Sequence, residues 1–106
     1  MTVAETIKKL QERFNPEAAA SLNKILQLNI SGDQGGTWAL KIANRACELI
    51  PGGVEKPDLT LSLADKDWLA MVEGKLNPMT AYMTGKLKAT GDIGLATRIA
   101  SIFGLK

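Results

Sequence analysis

Apolar positions at the start of the chain recur with the period of a helix. Four of them share one narrow stripe when successive residues are placed about 100° apart: Val3, Ile7, Leu10 and Phe14. This pattern predicts an amphipathic helix over residues 2–14. Asn15 ends the helix, because the residue before a proline is pushed out of the α region. Pro16 then suits the first turn of a short second helix, Glu17 to Leu22.

Strict alternation of apolar and polar residues replaces the helical period from Leu26 onward. A period of two is typical of strands with one buried face. Turn-forming segments at residues 31–36 and 51–53 separate these runs. Four strands are predicted in this way: Leu26–Ile30, Trp38–Ala43, Ala46–Ile50 and Leu59–Leu63. Their polar alternate positions favour a mostly antiparallel sheet with one solvated face.

Helical signals return after the fourth strand. Asp65 is placed to cap a helix that runs to about Glu73. Asn77 and Pro78 predict the start of a second helix, with Asn77 as its N-cap and Pro78 in its first position. The short helix that they open ends near Gly85.

The C-terminal region adds a fifth short strand, residues 86–90, and a last helix from Ile93 to about Phe103. Helices before and after a mostly antiparallel five-stranded sheet predict the α+β class. The 106 residues contain no linker or internal repeat, so residues 1–106 are interpreted as one domain.

Composition narrows the classes of function. Thirteen basic and eleven acidic residues leave a net charge of only +2, without a basic run, so no nucleic-acid partner is expected. The chain has no histidine, which removes the usual general base and the commonest metal ligand. Its one cysteine, Cys47, can form neither an internal disulfide nor a zinc site. We expect no enzyme, no metal and no cofactor, although counting alone leaves a catalytic carboxylate pair open.

The two ends of the chain bear on the compartment in which the protein is expected. The charged N-terminal residues lack a signal-peptide apolar region, and no run of about 18 apolar residues could span a bilayer. The final Gly-Leu-Lys does not match a Ser-Lys-Leu peroxisomal address. We therefore expect a cytoplasmic protein.

The last helix has an unusually wide apolar face. Its apolar residues cover about 180° of arc, whereas a helix on a protein core needs about 100°. Arg98 is the only charged residue in it. The surplus apolar surface could be buried against a bound lipid, a membrane, a partner chain or a deeper groove.

Methionine and lysine residues gather in the preceding segment. Met71, Met79 and Met83 either fill gaps in the core or line an adaptable apolar surface, because methionine suits both. Trp38 and Trp68 are interpreted first as core anchors and second as ligand contacts. Three lysines form a loose basic group, either a solvated face or a weak site for anionic headgroups: Lys75, Lys86 and Lys88.

Three C-terminal motifs together resemble the sterol carrier protein type 2 domain. They are an acidic-aromatic helix start at residues 64–71, a Gly-Lys-Leu-Asn-Pro segment at 74–78 and a Gly-Lys-Leu step into the last helix at 85–92. Upstream, residues 36–38 and 56–61 match the central sheet of that family. The resemblance covers about residues 4 to 103.

The resemblance implies a five-stranded sheet flanked by helices that encloses a tunnel for apolar ligands. Members of the family bind fatty acids, fatty acyl-CoAs, sterols and phospholipids with loose selectivity. Their better-known members carry an aromatic pair and a glutamine where this chain has Tyr82, Met83 and Thr84.

We therefore predict a non-catalytic lipid-binding and transfer protein. The predicted cavity wall comprises Trp38, Leu61, Trp68, Met71, Met79, Met83, Ile93, Ile99 and Phe103. Transient membrane contact through the last helix and a homodimer are partner hypotheses. Two alternative functions stay open: an accessory interaction or oligomerisation module, and a factor that presents an isoprenoid or quinone precursor to enzymes.

Overall fold

The computed structural model describes residues 2–19 and 21–103, apart from the side chains of residues 93, 96, 97, 99 and 100. Four helices and five strands lie in these ranges. In chain order they are α1 (Val3–Arg13), β1 (Lys24–Ser31), β2 (Gly36–Ala43), β3 (Ala46–Pro51), β4 (Leu59–Ala64), α2 (Asp65–Val72), α3 (Pro78–Met83), β5 (Leu87–Gly91) and α4 (Ile93–Phe103).

The strands form one sheet in the order β3-β2-β1-β4-β5. Three of its four strand pairs are antiparallel, and only β1 and β4 run parallel. The predicted α+β class and the mostly antiparallel sheet are thus confirmed. The parallel pair arises because residues 52–58 carry the chain from β3, at one edge, across two strands to the far side of β1.

A two-residue turn sets the register between β2 and β3. Asn44 and Arg45 join β2 to β3, and both have positive φ angles, 52° and 61°. A two-residue loop with two positive φ angles matches the right-handed twist of the flanking strands. Ala43 and Ala46 pair directly beside it.

One face of the sheet, termed the inner face, carries the apolar alternate residues and is covered by helices. In β1 these residues are Leu26, Leu28 and Ile30, all buried. Helix α1 buries Val3, Ile7 and Leu10 and contacts α2, α4 and β3. The opposite face, termed the outer face, carries the polar alternates.

Two local predictions are wrong. The predicted helix over Glu17–Leu22 is absent from the described residues, where Pro16–Ala19 and Ser21 form turns. Such a short segment forms too few hydrogen bonds to offset helix nucleation, and Asn15 Oδ1 instead accepts a bond from the Glu17 amide at 3.0 Å.

The second error concerns Asp65, which is the first residue of α2 and not its N-cap. Ala64 occupies the N-cap position and makes no side-chain bond there. The Asp65 carboxylate instead accepts hydrogen bonds from the Gln34 amide at 3.1 Å and the Lys66 amide at 2.8 Å. It therefore ties the β1–β2 turn to the start of α2.

None of the helices in the described part of the chain is long and apolar enough to cross a membrane.

Candidate functional site

A continuous hydrophobic cluster lies between the inner face of the sheet and the helices. It contains four of the predicted wall residues, Leu61, Trp68, Met71 and Phe103, and a fifth, Trp38, packs against it. Four of them are buried, and Trp38 is partly buried where it packs against the cluster. The fold thus brings side chains from β2, β4, α2 and α4 into one apolar region.

Each position follows from the element that carries it. Leu61 lies at the centre of β4, where every second residue is buried. Trp68 and Met71 are three residues apart in α2 and so share one helix face. Phe103 ends α4, and its ring centroid lies 5.9 Å from that of Phe14, just after α1.

A single buried polar residue stands out among the described side chains. Thr6 in α1 is 1% exposed. Its hydroxyl accepts a hydrogen bond from Trp68 Nε1 at 2.7 Å and donates one to the Val3 carbonyl at 2.6 Å. Both partners are internal, so this hydroxyl is already satisfied and the cluster favours apolar contacts.

Thr6 was missed by the sequence reasoning. The sequence does contain a hint of its burial, because Thr6 follows Val3 by three residues and so lies on the apolar stripe of α1. A polar residue on a buried stripe requires a partner, but the sequence does not say that the partner is Trp68.

Two predicted wall residues lie away from the cluster. Met79 and Met83 in α3 are 57% and 78% exposed, and Tyr82 beside them is 47% exposed. They are the exposed large apolar side chains of the described structure. Their part in a cavity wall stays a prediction.

The remaining wall predictions concern α4. The side chains of Ile93 and Ile99 lie outside the described residues. Of the described apolar side chains in α4, Leu95, Ile102 and Phe103 are buried. Arg98 reaches back to donate a hydrogen bond to the Ala18 carbonyl at 2.9 Å.

An open concave region of about 470 Å³ lies on the outer face. Strand register aligns Thr37 with Asn29, Asn29 with Ser62, and Ser62 with Lys88, which makes a polar row across β2, β1, β4 and β5. Lys86 and Ser31 extend the lining. The alternation predicts that these strand positions are polar, but not that they form one row, because the register across non-consecutive strands cannot be read from the chain.

One titratable side chain, the thiol of Cys47, packs against the cluster. Burial raises the pKa of the Cys47 thiol to about 11, so it stays protonated at neutral pH. No group of three or more metal-ligating side chains occurs within residues 2–19 and 21–103. Within the same ranges, the cluster offers apolar surface and one satisfied hydroxyl.

Comparison with protein families gives a match over nearly the whole chain. The model described as the SCP-2 sterol transfer family matches residues 5–104. Hydroxysteroid dehydrogenase-like protein 2 of Xenopus laevis is 37% identical over 106 residues, covering 94% of this chain and 24% of that protein. Sterol carrier protein 2 of Homo sapiens is 34% identical over 103 residues, covering 94% and 19%. The chain thus spans a quarter or less of the length of these relatives.

Solved structures share the fold. Palmitated SCP2L2 from Aedes aegypti superposes with a TM-score of 0.82 at 25% identity, covering 97% of this chain and 95% of that one. The inverting sec-alkylsulfatase Pisa1 from Pseudomonas sp. gives a TM-score of 0.73 at 25% identity, covering 91% of this chain but 15% of the enzyme. The same fold therefore occurs in a small protein and within a much longer enzyme.

Proposed function

Because the chain belongs to the SCP-2 sterol transfer family, we propose that it binds an apolar lipid between its sheet and helices and later releases it unchanged. The proposed ligands are fatty acids, their acyl-CoA thioesters or similar apolar molecules. The observation that carries the proposal is the apolar cluster, in which the one buried polar residue among the described side chains is satisfied internally. The palmitated form of the Aedes aegypti relative supports a fatty acyl chain as the ligand.

The proposed wall is formed by Trp38, Leu61, Trp68, Met71 and Phe103, which lie in the cluster or pack against it. Met79, Met83, Ile93 and Ile99 stay predicted wall residues. Met71 supports loose selectivity, because an unbranched thioether adapts to different apolar shapes. In this proposed wall, the indole N–H of Trp68 already donates its hydrogen bond to Thr6. That group is therefore not free to bind a lipid headgroup.

The expected affinity is moderate. A sixteen-carbon chain gains up to about 12 kcal/mol at ~0.8 kcal/mol per buried CH₂. Association and ordering costs of about 4–15 kcal/mol reduce this towards micromolar binding. An affinity in that range allows a carrier to release its ligand as well as shelter it.

We propose that the protein does no chemistry and acts in the cytoplasm. Cys47, the one cysteine of the chain, has a pKa of about 11, which supports an inert thiol. We assign none of the activities of the longer relatives to this chain, because it matches a quarter or less of their length.

Native mass spectrometry with lipid extraction tests the function directly. A co-purified acyl lipid would support the proposal, and a co-purified isoprenoid would favour the presenting-factor alternative. The same spectra would reveal whether the protein forms a homodimer. A dimer without lipid would favour the interaction-module alternative.

Quenching by brominated stearic acid then tests the site. Trp38 and Trp68 are the two tryptophans of the chain, so Trp38→Phe leaves Trp68 as the only reporter. Bromine quenches tryptophan at short range, and we expect saturable quenching of Trp68. Unbrominated stearic acid is the matched control and should compete the quenching away. Bare protein in the mass spectrum together with an unquenched Trp68 would overturn the proposal.

A further inference from the structure

The exposed apolar side chains of the described structure are concentrated in one short helix. Met79, Tyr82 and Met83 occupy positions i, i+3 and i+4 of α3 and therefore share one face. Their exposed fractions of 57%, 47% and 78% contrast with the buried apolar stripe of α1. An apolar face that the fold leaves unburied is a candidate interaction surface.

The segment that contains α3, between Glu73 and Asp92, carries charge of one sign. Residues 74–91 contain three lysines and no acidic residue. Lys75 precedes the helix. Its Nζ forms an exposed ion pair with Oε2 of Glu73 at 3.2 Å, and Glu73 lies just before this segment. Lys86 follows the helix and is held to it by a hydrogen bond from its amide to the Ala81 carbonyl, at 2.9 Å. Lys86 and Lys88 are exposed, and neither has an ion-pair partner among the described residues.

From this combination we infer that α3 and the lysines beside it dock the protein onto an anionic lipid membrane. Met79, Tyr82 and Met83 enter the interfacial region, while Lys86 and Lys88 contact lipid phosphates and carboxylates. We call this set of five side chains the α3 surface. A protein partner would need matched carboxylates around an apolar groove, whereas a membrane offers acyl chains beneath anionic headgroups over any area.

The location differs from the membrane contact that the sequence predicted through the last helix. The described side chains of α4 that are exposed, Arg98 and Ser101, are polar. The described large apolar side chains there are buried against the core. Among the described side chains, the exposed large apolar ones therefore lie in α3.

The inference rests on the proposed function for its purpose, since a lipid carrier has to meet the membranes between which it moves its ligand. Its test is separate. Binding to vesicles is measured by co-sedimentation, and uptake of a fluorescent fatty acid from solution is measured without vesicles. Uptake without vesicle binding would overturn this inference alone, and vesicle binding without uptake would overturn the proposed function alone.

Vesicles of phosphatidylcholine with about one third phosphatidylserine are the probe, and pure phosphatidylcholine vesicles are the neutral comparison. The Tyr82→Gln variant removes apolar surface, leaves the predicted wall residues Met79 and Met83 in place, and should weaken binding about tenfold. Lys86→Gln/Lys88→Gln should weaken binding to the anionic vesicles by up to about 25-fold, about fivefold for each lysine, and leave binding to neutral vesicles unchanged.

The matched control is Lys56→Gln/Lys66→Gln, which makes the same change in charge at two exposed lysines outside the α3 surface. It should weaken binding less than about twofold. Thermal unfolding of each variant checks that the fold is intact. An equal loss in the control, or full binding by folded Tyr82→Gln, would overturn the assignment of the α3 surface.

Discussion

Thr6 and Trp68, 62 residues apart in the chain, meet in the core through a hydrogen bond of 2.7 Å from the indole Nε1 to the threonine hydroxyl. The bond fixes α2 against α1 within the apolar cluster. It also keeps the indole ring in one orientation at the proposed lipid site.

Replacing Thr6 by valine should destabilise the protein by about 1–3 kcal/mol, because it leaves the buried Trp68 N–H without a partner. Urea unfolding followed by circular dichroism measures the change. Thr6→Ser keeps the hydroxyl and should retain the bond.

A double-mutant cycle with Trp68→Phe isolates the hydrogen bond, since phenylalanine removes the donor. Thr6→Val in the Trp68→Phe background should cost clearly less than in the wild type. Equal costs in both backgrounds would contradict a coupling between these two side chains.

Gly91 should tolerate alanine much less well than Gly85. Both have positive φ angles, 110° and 82°, which an L side chain adopts at a cost of about 1–2 kcal/mol. A Cβ at Gly91 would also lie 2.4 Å from the Asp58 carbonyl oxygen, whereas one at Gly85 meets nothing within 4 Å. We expect Gly91→Ala to cost about 3 kcal/mol or more and Gly85→Ala about 1 kcal/mol, measured by urea unfolding. Similar losses at both positions would show that the close approach to Asp58 does not restrict Gly91.

Cys47 should react slowly with thiol reagents in the folded protein. Burial raises its pKa to about 11, so at pH 8 about one molecule in a thousand carries the reactive thiolate. The rate of disulfide exchange with Ellman's reagent should rise steeply between neutral pH and pH 10. The same protein unfolded in urea should react at the ordinary rate of a cysteine, and fast labelling of the folded protein would be the contrary result.

Asp92 should titrate below the usual range of an aspartate. Its Oδ1 accepts a hydrogen bond from the Leu95 amide at 3.2 Å, and this bond, followed by the effect of Lys24, lowers the pKa of the Asp92 carboxyl. Because the folded-state pKa is lowered, the contribution of Asp92 to stability is present above its unfolded pKa of about 3.9. It is lost as the pH falls through the lower folded-state value.

The chemical shift of the Leu95 amide, followed by NMR during an acid titration, measures this pKa. We expect a midpoint below the usual aspartate value, and Asp92→Asn should remove that transition. A midpoint at or above the usual value would contradict the hydrogen bond from the Leu95 amide to the Asp92 carboxylate.

Local patterns predicted most of the elements, because their causes act over a few residues. The period of Val3, Ile7 and Leu10 gave α1, and the sequence Asn77-Pro78 gave the start of α3, where Asn77 Oδ1 accepts a hydrogen bond from the Met79 amide at 2.8 Å. The same reasoning failed at Glu17–Leu22, where local preference was too weak to form a helix. It also failed at Asp65, because the carboxylate of Asp65 accepts a hydrogen bond from the amide of Gln34, a residue distant in sequence.

The sequence by itself determined the α+β class, the alternation that makes an inner and an outer face, and the family that its motifs resemble. These depend on residue types at short spacings. Tertiary structure alone decided that β4 pairs parallel with β1, that Trp68 meets Thr6, and that Leu61, Met71 and Phe103 share one cluster while Met79 and Met83 face outward. Spacing along the chain does not encode these contacts, because they depend on how the elements pack, and packing is a property of the whole chain.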